Sequence, residues 1–200
     1  MATRNRYYNI EGTIRSGFKL SRDYETLDFS FIKLNDDGVR ALVGSRSIKQ
    51  LKRLTINNNK LTQESGLAIA ESKWLENLQS LKLYRNKIGH EGLKALAESD
   101  NLPSLKSLRL AHNQIGPEGA KFVGDSMSFR SLTSLGLSEN NLGDEGIKYL
   151  AGAQNLKELE ILDLRNNNIT DDGAIAFSTS INFPNIQKVE LSDNKLTEVG

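Results

Sequence analysis

The chain has 200 residues, enough for one domain or slightly more. It carries 26 Lys and Arg against 25 Asp and Glu, and this net charge of +1 creates no overall field that would recruit nucleic acid or an anionic membrane. There is no cysteine, which excludes disulfides, thiolate nucleophiles and cysteine-based zinc sites and favours a reducing compartment.

Residues 1–23 are predicted to form an N-terminal cap. They contain no apolar run long enough for a signal peptide, and no later stretch approaches the length of a membrane span. They also lie outside the repeat that governs the rest of the chain. Their apolar residues are numerous enough to cover one end of a stacked structure: Tyr7, Tyr8, Ile10, Ile14, Phe18 and Leu20.

A 27-residue repeat occupies residues 24–200. Six segments follow the template LxxLxLxxNxL at equal intervals, starting at Leu51, Leu78, Leu105, Leu132, Leu159 and Ile186. A weaker copy, YETLDFSFIKL, starts at Tyr24. Six full units therefore run from Tyr24, and a partial seventh starts at Ile186. The hydrophobic share of 38% is low for a sphere with one core, and the constant interval selects a regular elongated fold over a disordered chain.

Each repeat changes its period halfway. The first part alternates apolar and polar residues, as a short strand with one buried face does. The second part, for example EGLKALAE at Glu91–Glu98, opens with glycine and acidic residues and then places Leu93 and Leu96 at helical spacing. One unit cannot bury both faces, but a stack of seven can. The sequence predicts an α/β solenoid that curves, because helices are wider than strands, with parallel strands on the concave side and helices on the convex side.

The template LxxLxLxxNxL, followed by xxxGxxxL, resembles the leucine-rich repeat, in particular its ribonuclease-inhibitor-like subfamily. The resemblance covers residues 24–200 and implies a horseshoe whose concave sheet binds another protein. Ribonuclease-inhibitor-like members cover the active site of an enzyme, which implies an inhibitor or regulator in the cytoplasm. Free-standing, cysteine-free repeats of constant length are also similar to bacterial effector repeats, which act in the cytosol of a host cell.

One polar residue interrupts the apolar pattern of each repeat. It is an asparagine in six repeats: Asn59, Asn86, Asn113, Asn140, Asn167 and Asn194. In the leucine-rich repeat family this residue lies inside the turn after the strand and bonds backbone groups of its own and neighbouring repeats. One carboxamide both donates and accepts, as the unpaired N–H and C=O groups of a buried turn require. We therefore expect a structural ladder, from which the first repeat departs with Ile32.

The residues between the leucines vary while the apolar frame does not, and in a strand they face away from the core. The repeats starting at Leu51, Leu78 and Leu105 place basic residues there, whereas later repeats place mostly acidic ones. Tyr84 lies in the basic half, next to Arg85, and Gly136 leaves a gap at the border. An aromatic residue flanked by arginine is typical of a binding hot spot, although solvated strands also carry mixed charge. Because a concave array of strands is this family's usual binding surface, eight residues are predicted to contact a partner protein: Arg53, Lys82, Tyr84, Arg85, Arg109, His112, Glu139 and Asp163.

Few residues support an enzyme. Two histidines without cysteine leave little for nucleophilic or zinc chemistry. The acidic pairs Asp144-Glu145 and Asp171-Asp172 recur where helices begin, where they fit helix-dipole and capping roles. No GxGxxG follows a strand and no GxxxxGK[ST] occurs, so nucleotide binding has no motif. We predict no catalytic residue, cofactor or metal.

Two other functions remain open. Arg53, Lys82, Arg85 and Arg109, with Tyr84 as a stacking platform, are residues that nucleic acid binding would use, although the acidic half and the net charge of +1 oppose it. The last repeat reaches Gly200 before its helix, so we expect either a longer chain or a disordered ending that is absent here. For a longer chain, the alternative function is that of a targeting domain of an enzyme.

Overall fold

The computed structural model describes residues 9–199. Within them, seven parallel strands form one open sheet in chain order, and this confirms the predicted α/β solenoid. The strands are β1 (Thr26–Asp28), β2 (Arg53–Thr55), β3 (Ser80–Lys82), β4 (Ser107–Arg109), β5 (Ser134–Gly136), β6 (Ile161–Asp163) and β7 (Lys188–Glu190). The helices are α1 (Ile10–Ser21), α2 (Asn35–Gly44), α3 (Gln63–Ala70), α4 (Gly89–Ala97), α5 (Gly116–Asp125), α6 (Gly143–Ala151) and α7 (Asp171–Ser178), and a short 3-10 helix spans Arg46–Ile48. No helix in this part of the chain is both long and apolar enough to cross a membrane.

The strands pair without any shift between repeats. Leu54 lies opposite Leu81, and Leu81 opposite Leu108. Residues 27 apart in sequence are therefore neighbours in the sheet, about 4.8 Å apart. Every position of the repeat becomes a column of side chains that runs along the solenoid.

The aliphatic columns form a continuous core between the sheet and the helices. Leu81 and Leu108 from the strands and Leu96 from α4 are fully buried. In the last repeat Val189 and Leu191 are only partly buried, because no following repeat in the described chain packs on them. Burial in this fold thus depends on having a neighbour on each side.

In α4 to α7, a glycine near the start of the helix allows it to approach the repeat before it, whereas α3 has Ser65 at this position. A Cβ atom on Gly92 would lie 2.6 Å from a methyl group of Ile88 and 3.1 Å from the Cα atom of Gln63. Both distances are shorter than van der Waals contact, so a larger residue would push α4 away from α3. The recurring glycine therefore sets the spacing of the helices.

The asparagine ladder closes the turns that follow the strands. Asn140 is 1% exposed. Its Oδ1 atom accepts hydrogen bonds from the backbone N–H groups of Asn113 (2.8 Å) and Ile115 (3.3 Å) in the preceding repeat. Its Nδ2 atom donates to the carbonyl groups of Leu110 (2.9 Å) and Leu137 (3.0 Å). Nδ2 also donates to the carbonyl group of Ser138 (3.1 Å), so one side chain bonds five backbone groups in two repeats. Ile32, which replaces this residue in the first repeat, is 44% exposed.

A second ladder, made of serines, was not predicted from the sequence. It lies where each helix ends, and its hydroxyl groups donate to a carbonyl group of the preceding repeat at 2.6–2.7 Å. The donors are Ser72, Ser99, Ser126 and Ser180, and the acceptors are Val43, Ala70, Ala97 and Ala151. Ala153 interrupts the ladder. These bonds satisfy carbonyl groups that a helix end leaves without partners.

The acidic pairs lie in the first turns of their helices, as predicted. Asp144 has a further structural role, because it accepts hydrogen bonds from the backbone N–H (2.8 Å) and the hydroxyl group (2.7 Å) of Thr170 in the next repeat. Burial alone would raise the pKa of Asp144, but these hydrogen bonds hold it below its ordinary value. Asp36 binds Thr62 in the same way.

Helix α1 packs on the first strand. Ile14 and Phe18 are buried. Gly17 packs directly on Leu27, since a Cβ atom at position 17 would lie 2.7 Å from Cδ2 of Leu27. The N-terminal cap at residues 1–23 stays a prediction. Leu20 does not contribute, since it is 84% exposed, and Tyr7 and Tyr8 lie outside the described residues.

We expect Asn140→Ala to lower the free energy of unfolding by roughly 1–3 kcal/mol, because it leaves buried backbone groups without partners. Urea denaturation followed by circular dichroism measures this change. Gln79→Ala is the control, since Gln79 is an exposed carboxamide and its loss should change stability by less than about 0.5 kcal/mol. Equal effects of the two substitutions would contradict a structural ladder.

Candidate functional site

The side chains between the buried leucines form the concave surface. Lys82 is exposed beside the buried Leu81. The structure places the eight predicted residues either on strands (Arg53, Lys82, Arg109 and Asp163) or in the turns that follow them (Tyr84, Arg85, His112 and Glu139). They therefore share one side of the solenoid, although their exposure and partners differ.

The turn residues have a backbone conformation that the sequence did not reveal. Arg85, His112 and Glu139 occupy the same position in successive repeats and have φ angles of 54°, 58° and 58°. This left-handed region is uncommon for residues other than glycine, and among those asparagine, aspartate and histidine adopt it most often. Asn58, Asn166 and Asp193 at the same position were the signal that could have indicated it. The conformation fixes the point from which each of these side chains leaves the backbone.

Arg53 is neutralised by two acids, of which the nearer, Asp23, precedes the repeats. Its guanidinium group lies 2.8 Å from the carboxylate of Asp23 and 3.9 Å from that of Glu25. Hydrogen bonds from Thr26, from the backbone of Glu25 and from Arg53 lower the pKa of Asp23 well below its usual range. Because Asp23 lies outside the repeat template, a comparison of equivalent positions in the repeats could not predict that it pairs with Arg53.

Asp163 is buried rather than presented to solvent. It is 5% exposed, and Arg165 donates from Nε to Oδ1 (2.9 Å) and from Nη2 to Oδ2 (2.8 Å). Burial alone would raise the pKa of Asp163, but the hydrogen bonds and the charge of Arg165 bring it below the ordinary value. The carboxylate is thus occupied within the chain, unlike that of Glu139, which is exposed.

The remaining acids of the later repeats are partly compensated as well. Glu190 lies 3.2 Å from Arg165 and 2.5 Å from Lys188. The acidic half of the concave surface therefore contains its own cations. The sequence indicated two halves of opposite charge, and the structure shows that much of the negative half is neutral.

Apart from Arg53, the basic half keeps its charge. Across residues 9–199, no acidic side chain forms an ion pair with Lys82, Arg85, Arg109 or His112. The guanidinium carbon of Arg85 lies 5.7 Å from the ring centre of Tyr84, which is half-buried. We call these five residues, Lys82, Tyr84, Arg85, Arg109 and His112, the basic patch.

Gly136 does not leave the gap that the sequence suggested. A Cβ atom on Gly136 would lie 2.8 Å from Cδ of Arg109, so the Arg109 side chain lies directly over this glycine. Arg109 is half-buried as a result. The absence of a side chain at position 136 gives Arg109 a flat surface on which to lie and extends the basic patch toward β5.

A groove on the convex side was not predicted. It lies between α3 and α4, has a volume of about 760 Å³, and is lined by Leu67, Ala70 and Ala95 with Glu71 and Glu98 at its edges. Leu67 is 44% exposed, whereas the equivalent residue is basic in α2, α4, α5 and α6. Among the residues that the structure describes, no three His, Asp or Glu side chains gather in a way that could hold a metal ion.

We expect Asp163→Asn to destabilise the protein at pH 7, because it removes the charge that Arg165 binds. The pKa of Asp163 is lowered by folding, so its contribution is complete above the unfolded-state pKa of about 3.9 and is lost as the pH falls through the lower folded-state pKa. The difference in unfolding free energy between wild type and variant should therefore shrink below about pH 4. Urea denaturation at a series of pH values measures it. Asp100→Asn, at an exposed carboxylate, should show no such dependence, and a difference for Asp163→Asn that persists unchanged at acid pH would contradict the role of the charge.

Comparisons with known proteins agree with this architecture. A sequence model of the family described as leucine-rich repeat matches residues 75–97, 101–124, 130–151 and 155–178. The structure is similar to Listeria monocytogenes InlP, with a TM-score of 0.61 and 18% identity over 86% of this chain and 44% of that chain. It is also similar to the C-terminal domain of Caenorhabditis elegans tropomodulin, with a TM-score of 0.53 and 16% identity over 72% of this chain and 90% of that chain. The chain thus spans less than half of InlP, and identities this low show the fold alone. A search of curated proteins finds no match. Together with the seven-stranded sheet and the repeated asparagines, these findings identify the chain as a leucine-rich repeat protein.

Proposed function

We propose that this protein binds a partner protein on its concave surface through the basic patch, and that it acts as an inhibitor or regulator by covering the surface it binds. Leucine-rich repeats generally mediate protein–protein interactions. The observation that carries the proposal is that the cations of the basic patch have no acidic partner in the described chain, whereas Arg53 and Arg165 do.

The composition of the patch suits a protein partner. Tyr84 offers a half-buried ring beside Arg85, and aromatic residues and arginine dominate the binding energy of protein interfaces. Uncompensated cations attract an acidic surface and speed its association. An acidic region on the partner would thus complete ion pairs that this chain leaves open.

The size of the surface supports regulation by coverage. Six intervals of about 4.8 Å between β1 and β7 give a width of roughly 29 Å, comparable to the face of a small domain. When a folded partner is held across this width, its bound face is no longer accessible to other molecules. We therefore propose that the protein works as a binding module rather than as an enzyme. We also propose that it works in the cytosol, because a chain without cysteine needs no oxidising compartment.

We expect the triple variant Lys82/Arg85/Arg109→Glu to lose partner binding without a lower melting temperature. The replacements are compatible with the fold, because Glu190 and Glu139 already occupy the equivalent strand and turn positions in other repeats. Affinity capture from source-cell lysate with mass spectrometry, followed by binding of the purified candidate, compares wild type and variant. The matched control is Lys73/Lys121/Lys157→Glu, which makes the same change in net charge at exposed lysines outside the strands and their turns.

Retention of a protein by wild type and control, but not by the patch variant, is the expected result. Equal retention by all three proteins would overturn the assignment of the site to the basic patch. Capture of generic DNA or RNA with a steep salt dependence would overturn the protein-partner proposal in favour of nucleic acid binding. A lower melting temperature of the patch variant would show that these side chains contribute to the fold.

A further inference from the structure

We infer that a pocket at the edge of the concave surface binds a phosphorylated side chain of the partner protein. This rim pocket has a volume of about 210 Å³ and lies in the turns after β2, β3 and β4. The side chains that line it include Asn58, Lys60, Arg85, Lys87, His112 and Gln114. The inference rests on the proposed function and specifies the chemistry of the bound partner.

The lining of the rim pocket is cationic and contains no acid. Lys60, Arg85 and Lys87 supply three fixed positive charges, and His112 adds a fourth when it is protonated. None of the four forms an ion pair anywhere in residues 9–199. A phosphate monoester carries close to two negative charges and several strong acceptor oxygens, whereas a carboxylate carries one charge. Three cations around one small space therefore match a phosphate better than an aspartate or glutamate.

The repeat arranges the pocket in two columns. Asn58, Arg85 and His112 occupy one position of three successive turns, and Lys60, Lys87 and Gln114 occupy the position two residues later. The turns are joined by backbone hydrogen bonds from Asn58 to Tyr84 (2.8 Å) and from Arg85 to Ala111 (3.0 Å). The backbone positions that carry these side chains are thus held close together before any ligand arrives, which reduces the entropy lost on binding.

The turns after β5 and β6 lack this cationic character, so the fold alone does not produce it. The next two turns have the same left-handed backbone, yet they carry Glu139 and Asn141, then Asn166 and Asn168. Arg85 and His112 belong both to the rim pocket and to the basic patch, so the two surfaces are continuous. A partner that contacts Lys82 and Arg109 would present its phosphorylated segment to the pocket at the edge.

Titration with three synthetic peptides tests the inference. They share the sequence acetyl-Gly-Ala-X-Ala-Gly-amide, where X is phosphoserine, serine or aspartate. Two-dimensional NMR of ¹⁵N-labelled protein follows the amide signals, with inorganic phosphate as a further probe. We expect the phosphoserine peptide to shift the signals of Arg85, Lys87 and His112 and to bind at least about tenfold more tightly than the aspartate peptide.

Variants locate the binding and separate it from the proposed function. Lys60→Gln with Lys87→Gln, both outside the basic patch, should weaken phosphopeptide binding by about tenfold, whereas Lys121→Gln with Lys157→Gln should leave it unchanged. The double variant Lys82/Arg109→Glu should lose partner capture and keep phosphopeptide binding, because neither residue lines the pocket. Melting temperatures check that each variant is folded.

Three results would overturn the inference: equal affinity for the phosphoserine and aspartate peptides, binding unaffected by Lys60→Gln with Lys87→Gln, or equal binding of heparin, DNA and anionic lipid vesicles. If partner capture through Lys82 and Arg109 persists alongside any of these, the proposed function stands and the rim pocket has no phosphate specificity. If the peptides bind as expected but no variant changes partner capture, the pocket is an anion site and the proposed function fails.

Discussion

The structure depends on satisfying the backbone of a buried turn. After each strand the chain turns inside the solenoid, where its N–H and C=O groups have no access to water, and the carboxamide of one asparagine supplies their partners. Some of the backbone groups that bond the Asn140 side chain belong to the repeat before it. These hydrogen bonds can form only if successive repeats have the same length and their strands pair in the same register. The 27-residue interval follows from this requirement as much as from the leucines.

The convex side repeats the same solution with other residues. Serine hydroxyl groups bond carbonyl groups at the ends of helices, and Asp144 bonds the turn of the next repeat through Thr170. These contacts join positions 26 or 29 residues apart, so they also require a constant repeat length. Cohesion thus comes from nearest neighbours along the solenoid, and a residue such as Val189, at one end of it, remains partly exposed.

A rigid frame leaves the concave side chains free to differ, and ion pairing decides which of them can act. Arg53 and Asp163 both lie on strands, yet Asp23 neutralises the first and Arg165 occupies the second. What remains is a positive surface on β3 and β4 and in the turns after β2, β3 and β4, where Arg85 and His112 project from left-handed residues. Charge, exposure and a preformed backbone coincide there, which is why both proposals concern this region.

The sequence alone determined the repeat, the alternation of strand and helix, the solenoid, the asparagine ladder and the side of the sheet on which Lys82 and Arg109 lie. These follow from periodicity, because each position has only one environment in a stack of equal units. Tertiary structure alone decided the pairing of Arg53 with Asp23, the burial of Asp163 beneath Arg165, the position of Arg109 over Gly136 and the convergence of Lys60, Lys87 and His112 on one pocket. Those outcomes depend on the direction that each side chain takes and on residues such as Asp23 that lie outside the repeat, and neither follows from the period of the sequence.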